Sequence, residues 1–396
     1  MKAPSERWLG LGFLTGLGIL AGQGFSRFTF GLVFPRMGTS LVGTTSSASF
    51  LAALYAAAYL VGVAVLIFVT RHVAPLRLLV FGVAVSTIGL LSIGLAHSES
   101  VVIMGLVVSG LGAAFSYVPA LSFIGAAVRG VNRSRATGLA NAGVGVGIVI
   151  ARVLVFAFKA ESSTNGWRGV WISEAGIGAI ASAVILWYAF RAPSSVEHRG
   201  APISTTFRMP HWVALGMAYL CFGAAYSIYS NLAVKGWELG GLSGSSAADS
   251  LLFVAPAQIC GGLLLLWLAR RFGVRRTIGA TYIMLALAVG EVSLKSHSIV
   301  LSITSAIFLG LVGAGISAQF VLVVRSRLEK QRVLRDATTT VFGTITLMYS
   351  FGGLVGLLGG AQLSKGHGTL SSTFLVAALI ALVGGLCAVR GTVGLD

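Results

Sequence analysis

The stretch Gly22-Gln23-Gly24-Phe25-Ser26-Arg27-Phe28-Thr29-Phe30 lies inside the first long apolar segment of the chain, Trp8 to Met37. Arg27 follows a run of uncharged residues from Leu9 to Ser26, so its guanidinium cannot easily reach water along a membrane helix. A charged side chain at bilayer depth is costly and is typical of a bundle interior or a wet cavity on a transport path. The alternative is a structural arginine that snorkels to the headgroups or pairs with a neighbouring helix. The segment therefore predicts a membrane protein organised around a buried cation.

Composition places the whole chain in the membrane class. The 396 residues are 56% hydrophobic and 10% charged, whereas about a quarter of the residues of a soluble globular protein are charged. A spanning helix takes roughly 20 apolar residues, and the 53 glycines are typical of helices that pack closely in lipid. We therefore predict an all-α integral membrane protein with twelve transmembrane helices, at residues 9–35, 47–69, 76–96, 100–128, 135–158, 168–190, 211–234, 248–268, 275–294, 298–324, 337–362 and 369–389.

The predicted spans form two groups of six. The longest connection, Arg191 to His211, is polar and contains Pro193, which favours a linker. We predict one six-helix bundle in residues 1–190, a cytoplasmic linker in 191–210 and a second six-helix bundle in 211–396. The first span is longer than the core of a signal peptide and lacks a small-residue cleavage pattern, so we expect it to be retained.

The distribution of basic residues predicts the orientation in the membrane. Of the 28 Lys and Arg residues, six fall in connections after odd-numbered spans or at the adjoining span ends, two lie in the interior of spans, and the other 20 fall in the termini and in connections after even-numbered spans or at the adjoining span ends. Cytoplasmic loops carry such an excess. We therefore expect both termini to be cytoplasmic. The net charge of +17 is a topology signal and does not indicate a nucleic-acid-binding surface.

Weak internal similarity at an offset of about 200 residues indicates a duplication. Gly110-Leu111-Gly112 in span 4 aligns with Gly313-Ala314-Gly315 in span 10. This alignment predicts where Gln319 lies on span 10 relative to the first half. The same search places Arg27 of span 1 opposite Tyr226 of span 7. Many transporters consist of such repeats, with the substrate held at their interface. The repeats therefore predict a central site between two pseudo-symmetric halves.

Motifs in both halves resemble those of the major facilitator superfamily. The basic connections Thr70–Arg77 and Ala269–Arg276 are similar to its loops between spans 2 and 3 and spans 8 and 9, although both lack the acidic member of that pattern. Gly24–Met37, Asn141–Gly147 and Tyr219–Tyr229 resemble segments of the YbfB/YjiJ family of bacterial transporters. The resemblance implies the major facilitator fold, in which spans 1, 4, 7 and 10 line a central cavity and span 5 flanks it.

Arg27 and Arg152 are the two cations predicted within spans, and no carboxylate is predicted at mid-depth. Because the planar guanidinium fork matches carboxylate, sulfonate and phosphate groups, we interpret the pair as an anion site; a structural role is the alternative for each. Pro119 and Pro256 predict kinks in spans 4 and 8. The polar and aromatic residues expected to complete the site are Gln23, Tyr55, Tyr59, Tyr117, Asn141, Tyr226, Tyr229, Gln258 and Gln319.

The acidic residues nearest the membrane, Glu174, Asp249 and Glu291, fall within about one to three turns of the end of their spans. A buried carboxylate relay is therefore not expected. Glu174 could neutralise Arg152 or Arg168, and Asp249 could cap the start of span 8. The sequence has no nucleotide-binding glycine loop, paired catalytic carboxylates or metal-spaced histidines. We predict neither an enzyme nor a resident cofactor or metal.

These observations predict a secondary transporter that moves a small organic anion by alternating access and works as a monomer in the lipid bilayer. One alternative is efflux of an uncharged or cationic amphiphile, with Arg27 purely structural. A second alternative is a non-transporting membrane receptor.

Overall fold

A computed structural model describes residues 7–37, 41, 45–70, 72–128, 131–160, 162–191, 211–294, 298–330, 337–367 and 370–395. Within these residues the chain forms twelve long helices joined by short connections. Their bounds are α1 (Arg7–Ile19, a π-helical turn Leu20–Gly24, and Phe25–Met37), α2 (Thr45–Val69), α3 (Pro75–Gly94), α4 (Glu99–Ala127), α5 (Val131–Ala157), α6 (Gly166–Arg191), α7 (Trp212–Leu239), α8 (Gly244–Leu252 and Val254–Phe272), α9 (Val274–Glu291), α10 (Ile299–Lys330), α11 (Ala337–His367) and α12 (Ser371–Gly391).

Eleven of the described helices are long and apolar enough to cross a membrane. The other, α9, has 18 residues and includes Arg275, Arg276 and Glu291; it packs against α10 and α12. Large apolar side chains project from the outer helix surfaces, among them Phe156 and Phe190 with exposed fractions of 80% and 82%. Such a surface suits contact with lipid. The prediction of an all-α membrane protein with twelve helices is confirmed.

Proline interrupts one of the two helices in which a kink was predicted. Pro256 has no N–H to donate to the Leu252 carbonyl, and α8 is divided between Leu252 and Val254. In contrast, α4 runs without interruption through Pro119. The break divides α8 into a short segment that ends at Leu252 and a long segment that begins at Val254.

Glycines show how the two halves repeat one helix contact. In the first half, a methyl group on Gly24 of α1 would lie 3.1 Å from the Cα atom of Gly147 in α5. In the second half, a methyl group on Gly223 of α7 would lie only 2.0 Å from the Tyr349 carbonyl oxygen of α11. Because α7 and α11 follow α1 and α5 by six helices, the same contact occurs in both bundles. Small residues at these positions let the helix backbones approach closely.

A second repeated contact corrects the predicted register of span 10. Gly110 of α4 faces the Tyr55 carbonyl of α2, and Gly310 of α10 faces the Val254 carbonyl of α8. The contacts thus pair Gly110 with Gly310, three positions earlier than the alignment predicted. The predicted position of Gln319 in the central site was wrong because it depended on this alignment. Gly-rich apolar segments can be aligned in several registers, and only the observed contacts show which register is correct.

Among the described residues, the two bundles meet chiefly along two helix pairs, with smaller contacts between others. α2 packs on α11 and α5 packs on α8, and the smaller contacts include that of the second half of α1 with α7. We call the face at which α1 ends the Met37 side and the opposite face the Arg7 side. Residues 192–210 lie outside the described residues, so the linker predicted there stays a prediction.

Candidate functional site

Arg27 lies near the middle of α1, three residues after the π-helical turn Leu20–Gly24. In this turn the Phe25 N–H donates to the Leu20 carbonyl, five residues earlier, instead of the usual four. Single π-helical turns within α-helices occur frequently at functional sites. The irregular part of α1 therefore lies beside its one mid-helix charge.

The Arg27 guanidinium reaches from the first bundle into the second. Its Nη1 donates a hydrogen bond to the Tyr349 hydroxyl, and its Nη2 donates to the Ser227 hydroxyl at 3.1 Å. The guanidinium carbon lies 4.7 Å from the centre of the Tyr226 ring and 5.7 Å from that of Tyr349, which is the range of a cation–π contact. The structure therefore places Arg27 and Tyr226 opposite each other, as the repeat alignment predicted.

The partners of Arg27 are electrically neutral. Among the described residues, no carboxylate oxygen lies within 4.0 Å of its guanidinium. Hydroxyl groups and aromatic faces stabilise a cation, but they do not cancel its charge. The site therefore holds a net positive charge between the two bundles.

A cavity of about 540 Å³, part of it open to solvent, lies on the Met37 side of Arg27. Residues of α1, α2, α4, α7 and α11 line it. Apart from Arg27, the lining is neutral, and much of it is apolar. Its members are Gln23, Ser26, Arg27, Phe30, Ala52, Tyr55, Ala56, Tyr59, Leu106, Ser227, Asn231, Tyr349, Ser350, Gly353 and Leu357.

A second cavity, of about 430 Å³ including space open to solvent, lies toward the Arg7 side and shares Gln23, Arg27 and Tyr349 with the first. It is more polar and more aromatic. Its other members are Phe28, Tyr117, Asn141, Val144, Tyr219, Phe222, Tyr226, Gln258, Gly313, Ser317 and Thr346. Arg27 and Tyr349 thus form part of the boundary between two spaces that face opposite sides of the molecule.

Most polar side chains of these cavities are paired between helices. The pairs are Ser26–Tyr55 (3.0 Å), Tyr117–Asn141 (3.1 Å), Tyr219–Ser317 (3.2 Å) and Tyr226–Gln258 (3.4 Å). Tyr59 differs, because its hydroxyl is buried and has no hydrogen-bond partner among the described residues. A buried hydroxyl without a partner costs free energy, and Tyr59 is one of the residues that line the Met37-side cavity.

The structure brings together eight of the eleven residues predicted for the site. Each of them lines at least one of the two cavities; they are Gln23, Arg27, Tyr55, Tyr59, Tyr117, Asn141, Tyr226 and Gln258. They come from α1, α2, α4, α5, α7 and α8, so the site is wider than the four central spans implied by the resemblance. Arg152, Tyr229 and Gln319 line neither cavity.

Arg152 forms an ion pair elsewhere. Its Nη2 lies 2.5 Å and its Nε 3.2 Å from Oδ1 of Asp249, which joins α5 of the first bundle to α8 of the second. The predicted pairing of Arg152 with Arg27 is therefore not found. An aspartate 97 positions along the chain supplies the counter-ion, and helical spacing gave no sign of that contact.

Tyr229 and Gln319 also contact other helices. The Tyr229 hydroxyl lies 2.6 Å from that of Ser305 in α10. The Gln319 amide nitrogen donates to Thr281 in α9 at 3.4 Å. Both residues are buried in helix packing of the second bundle.

Tyr349 is the main site residue that the sequence analysis missed. It lines both cavities and accepts the hydrogen bond from Arg27. Ser227 and Asn231 of α7 were missed as well. The available signal in the sequence was a lone tyrosine within the apolar eleventh span, and no motif marks it.

Glu174 departs from what was expected of the acidic residues. It is fully buried, and its Oε1 accepts a hydrogen bond of 2.6 Å from the Thr29 hydroxyl of α1. It pairs with neither Arg152 nor Arg168, since Arg168 donates to backbone carbonyls near the end of α3. The prediction from the sequence concerned depth in the membrane and did not anticipate this burial, because distance from a helix end does not measure burial inside a bundle.

The other two acidic residues lie near helix ends. The start of α8 is capped by Ser243, whose hydroxyl accepts from the Ser246 N–H at 3.2 Å, and not by Asp249. Glu291 accepts a hydrogen bond of 2.9 Å from the indole of Trp237.

Comparison with known proteins agrees with this fold. The model of a family described as "Uncharacterised MFS-type transporter YbfB" matches residues 19–389. No curated protein has a significant match to the chain. A crystal structure of the major facilitator superfamily transporter FucP in the outward conformation has 14% sequence identity and a TM-score of 0.70, covering 97% of this chain and 98% of that one. The proton:xylose symporter XylE, bound to 6-bromo-6-deoxy-D-glucose, has 12% identity and a TM-score of 0.75, covering 97% and 95%. At this identity the two structures establish a shared fold.

Proposed function

Because this chain belongs to the family of YbfB-type transporters of the major facilitator superfamily, we propose that it moves a small organic anion across the bacterial inner membrane, with Arg27 as the principal binding residue. Family membership makes the protein a multi-pass membrane transporter and not an enzyme. The chemistry of the substrate is our inference from the site.

One observation carries the proposal: a cation that lies between two cavities and has only neutral partners. Arg27 contacts Tyr349, Ser227 and the ring of Tyr226, with no carboxylate nearby among the described residues. A cation in a bundle interior is costly unless water or an anion compensates it. An anionic substrate would supply that charge and accept the two-pronged hydrogen bonding of the guanidinium.

The surrounding residues suit a small organic body attached to the anionic group. Tyr59 offers a hydroxyl without a partner, and Gln23 lines both cavities. Apolar groups such as Phe30, Ala52 and Leu357 face the Met37-side cavity. Ligand sites commonly combine an apolar lining with a few well-placed polar groups.

Transport would proceed by rocking of the two bundles about this site. The contacts between α2 and α11 and between α5 and α8 would loosen and re-form on alternate sides of the membrane. With both termini cytoplasmic, the Met37 side faces the periplasm. Arg27 would then be reached first from one cavity and later from the other, and a single copy of the chain would suffice.

The efflux alternative has one observation in its favour. The Met37-side cavity has a largely apolar lining, and Arg27 has hydrogen-bond and cation–π partners within the protein. An uncharged or cationic amphiphile would occupy the apolar part and leave Arg27 in its present contacts.

A thermal-shift screen of the purified protein distinguishes the two. A ligand that binds only the folded state stabilises it by about 2.7 kcal/mol at 100 times its dissociation constant. We expect stabilisation by members of a carboxylate, sulfonate and phosphate panel, and loss of that stabilisation in Arg27→Gln. Stabilisation by uncharged or cationic amphiphiles alone, unaltered in Arg27→Gln, would contradict the anion proposal.

A further inference from the structure

Glu174 of α6 is a buried acid with half of its hydrogen-bonding capacity unused. Its exposed fraction is 0%. The Thr29 hydroxyl of α1 donates to Oε1 at 2.6 Å, whereas Oε2 is buried without a hydrogen-bond partner among the described residues. A carboxylate in this position would need a cation or several donors, and one hydroxyl is what the structure provides.

Each charged residue of the helices packed around Glu174 either has another partner or lies near a helix end. α6 packs against α1, α3 and α5. Arg27 of α1 bonds to α7 and α11, Arg152 of α5 pairs with Asp249, and Arg168 of α6 itself donates to backbone carbonyls. The remaining charges of these four helices lie in terminal turns or close to a helix end; they are Arg7, Arg36, Arg77, Arg133, Arg135 and Arg191.

The surroundings of Glu174 therefore stabilise the neutral acid. An ionised carboxylate that is buried without a counter-ion is strongly disfavoured, and such a group takes up a proton instead. The oxygen without a partner, Oε2, is the atom that would carry it. Ionisable groups inside membrane proteins commonly serve as proton carriers.

We propose that Glu174 is the proton-binding site that couples transport to a proton gradient. The proposal rests on alternating-access transport as proposed above, but it does not depend on an anionic substrate. The proton is held on Oε2 while the site is closed. When α1 moves and water enters, the O–H bond breaks, the proton passes to water, and the carboxylate is left solvated; the reverse step takes up a proton from the opposite side of the membrane.

The link between the two sites is α1 itself. Thr29 and Arg27 are two residues apart, which turns their side chains about 200° from each other around the helix. Thr29 faces Glu174 of α6, and Arg27 faces the cavities. A ligand that binds Arg27 and displaces it also moves the helix turn whose Thr29 is hydrogen-bonded to Glu174. By linkage, proton binding and ligand binding must then affect each other equally.

Trp171 supplies a second observation that points to an entry route. It precedes Glu174 by three residues on the same face of α6 and is fully buried, and its indole N–H also has no partner among the described residues. Trp167, one turn further toward the Met37 side, is fully buried too. Two partnerless polar atoms one turn apart mark the place where water would enter when the packing of these tryptophans loosens.

Infrared spectroscopy of the reconstituted protein tests the protonation state without any substrate. We expect the C=O stretching band of a protonated carboxylic acid at neutral pH, lost on titration to alkaline pH. The band should be absent from Glu174→Gln and retained by Glu174→Asp and by Glu99→Gln, which removes an exposed carboxylate. No such band in the wild type, or the same band in Glu174→Gln, would overturn the proposal.

Distance measurements between spin labels test the coupling. Phe156→Cys in α5 and Ser245→Cys in α8 place labels on exposed positions of opposite bundles near the Met37 side, in a background without Cys260 and Cys387. We expect the distance distribution to change between mildly acidic and alkaline buffer and to lose this pH dependence in Glu174→Gln. A pH dependence unaltered by Glu174→Gln would overturn the proposal, and Glu174→Met, which also removes the carboxyl group, serves in its place if Glu174→Gln does not fold.

The outcome also separates this proposal from the anion proposal. Stabilisation of both wild type and Glu174→Gln by anions, without the infrared band, would overturn the proton site alone. The band and the pH-dependent distance, without stabilisation by any anion, would support the proton site and contradict the anionic substrate.

Discussion

Arg27 can be altered in two steps that separate its charge from its shape. Arg27→Lys keeps the charge but loses the planar fork, and Arg27→Gln loses both. We expect normal membrane insertion of each protein, since neither substitution adds a buried charge. The affinity for the anion identified by thermal shift should fall for Lys and more steeply for Gln, on the order of 2–5 kcal/mol. Isothermal titration calorimetry in detergent measures the affinity of each variant for the anion.

Arg327 provides the matched control, because it is a second buried arginine with a purely internal set of partners. Its Nη2 donates to the carbonyls of Gly391 and Val393, at 3.0 and 2.5 Å. Arg327→Gln should lower thermal stability and leave anion affinity unaltered. Unaltered uptake by a well-folded Arg27→Gln protein would remove the main support of the anion proposal.

At this scale the sequence predicts isolated charges well and their partners poorly. Arg27 and Arg152 have the same signal, a guanidinium within an apolar span. Arg27 lies between the cavities, whereas Asp249 neutralises Arg152. Tyr349 reaches Arg27 from 322 positions away. Contacts of this kind form when helices assemble, so local sequence patterns do not predict them.

Among the helix contacts, the ion pair between α5 and α8 predicts a latch on the Met37 side. Asp249 is 53% exposed, so the pair should contribute about 0–1 kcal/mol to stability. Asp249→Asn should therefore leave the melting temperature nearly unaltered while it favours separation of the bundles on this side. The measurement is the rate at which a membrane-impermeant maleimide labels Asn231→Cys, which lines the Met37-side cavity.

The charge-reversed pair Arg152→Asp with Asp249→Arg is the control for this latch. It should restore the labelling rate of the parent protein, because it restores the attraction between the two helices. Equal labelling rates in Asp249→Asn and the parent would show that the ion pair does not hold the Met37 side closed.

The contact between α7 and α11 predicts a difference between two glycines of one helix. A methyl group on Gly223 would lie 2.0 Å from a backbone oxygen, whereas one on Gly216 would make an ordinary contact of 3.5 Å with Met348. Gly223→Ala should destabilise the protein by about 1–3 kcal/mol through overpacking. Gly216→Ala should be neutral or slightly stabilising, because alanine favours a helix by about 1 kcal/mol over glycine.

Thermal unfolding followed by intrinsic fluorescence compares the two variants. Gly223→Ala has a second expected effect, because it displaces the backbone of Tyr349, the partner of Arg27. Equal stability of the two alanine variants would contradict the close packing at Gly223.

For the whole molecule, the distribution of basic residues predicts which loops face the cytoplasm. Ser195 belongs to the predicted linker, outside the described residues, and Asn165 lies in the connection between α5 and α6 on the Met37 side. In intact cells, an impermeant thiol reagent should label Asn165→Cys and not Ser195→Cys. The reverse pattern would place the termini outside the cytoplasm.

The fold of the whole molecule was more predictable than its site. Long apolar runs fix the number and approximate bounds of membrane helices, since bilayer thickness sets their length. Pro256 shows how a local rule located a helix break. The alignment of Gly110 with Gly313 failed, because small residues repeat in every helix of such a bundle and several registers satisfy the sequence equally.

The π-helical turn Leu20–Gly24 has a consequence for how the site could be lost. Each residue of an α-helix turns the side-chain direction by about 100°, and the π-helical turn takes up one residue more than an α-helical turn, so it sets the direction of all the side chains that follow. If the same residues were wound as a regular α-helix, hydropathy, charge and every binding residue would be unchanged, yet Arg27 would turn by about 100°, away from α7 and α11. The direction of the Arg27 side chain thus depends on the helical geometry of this turn and not only on which residues the turn contains.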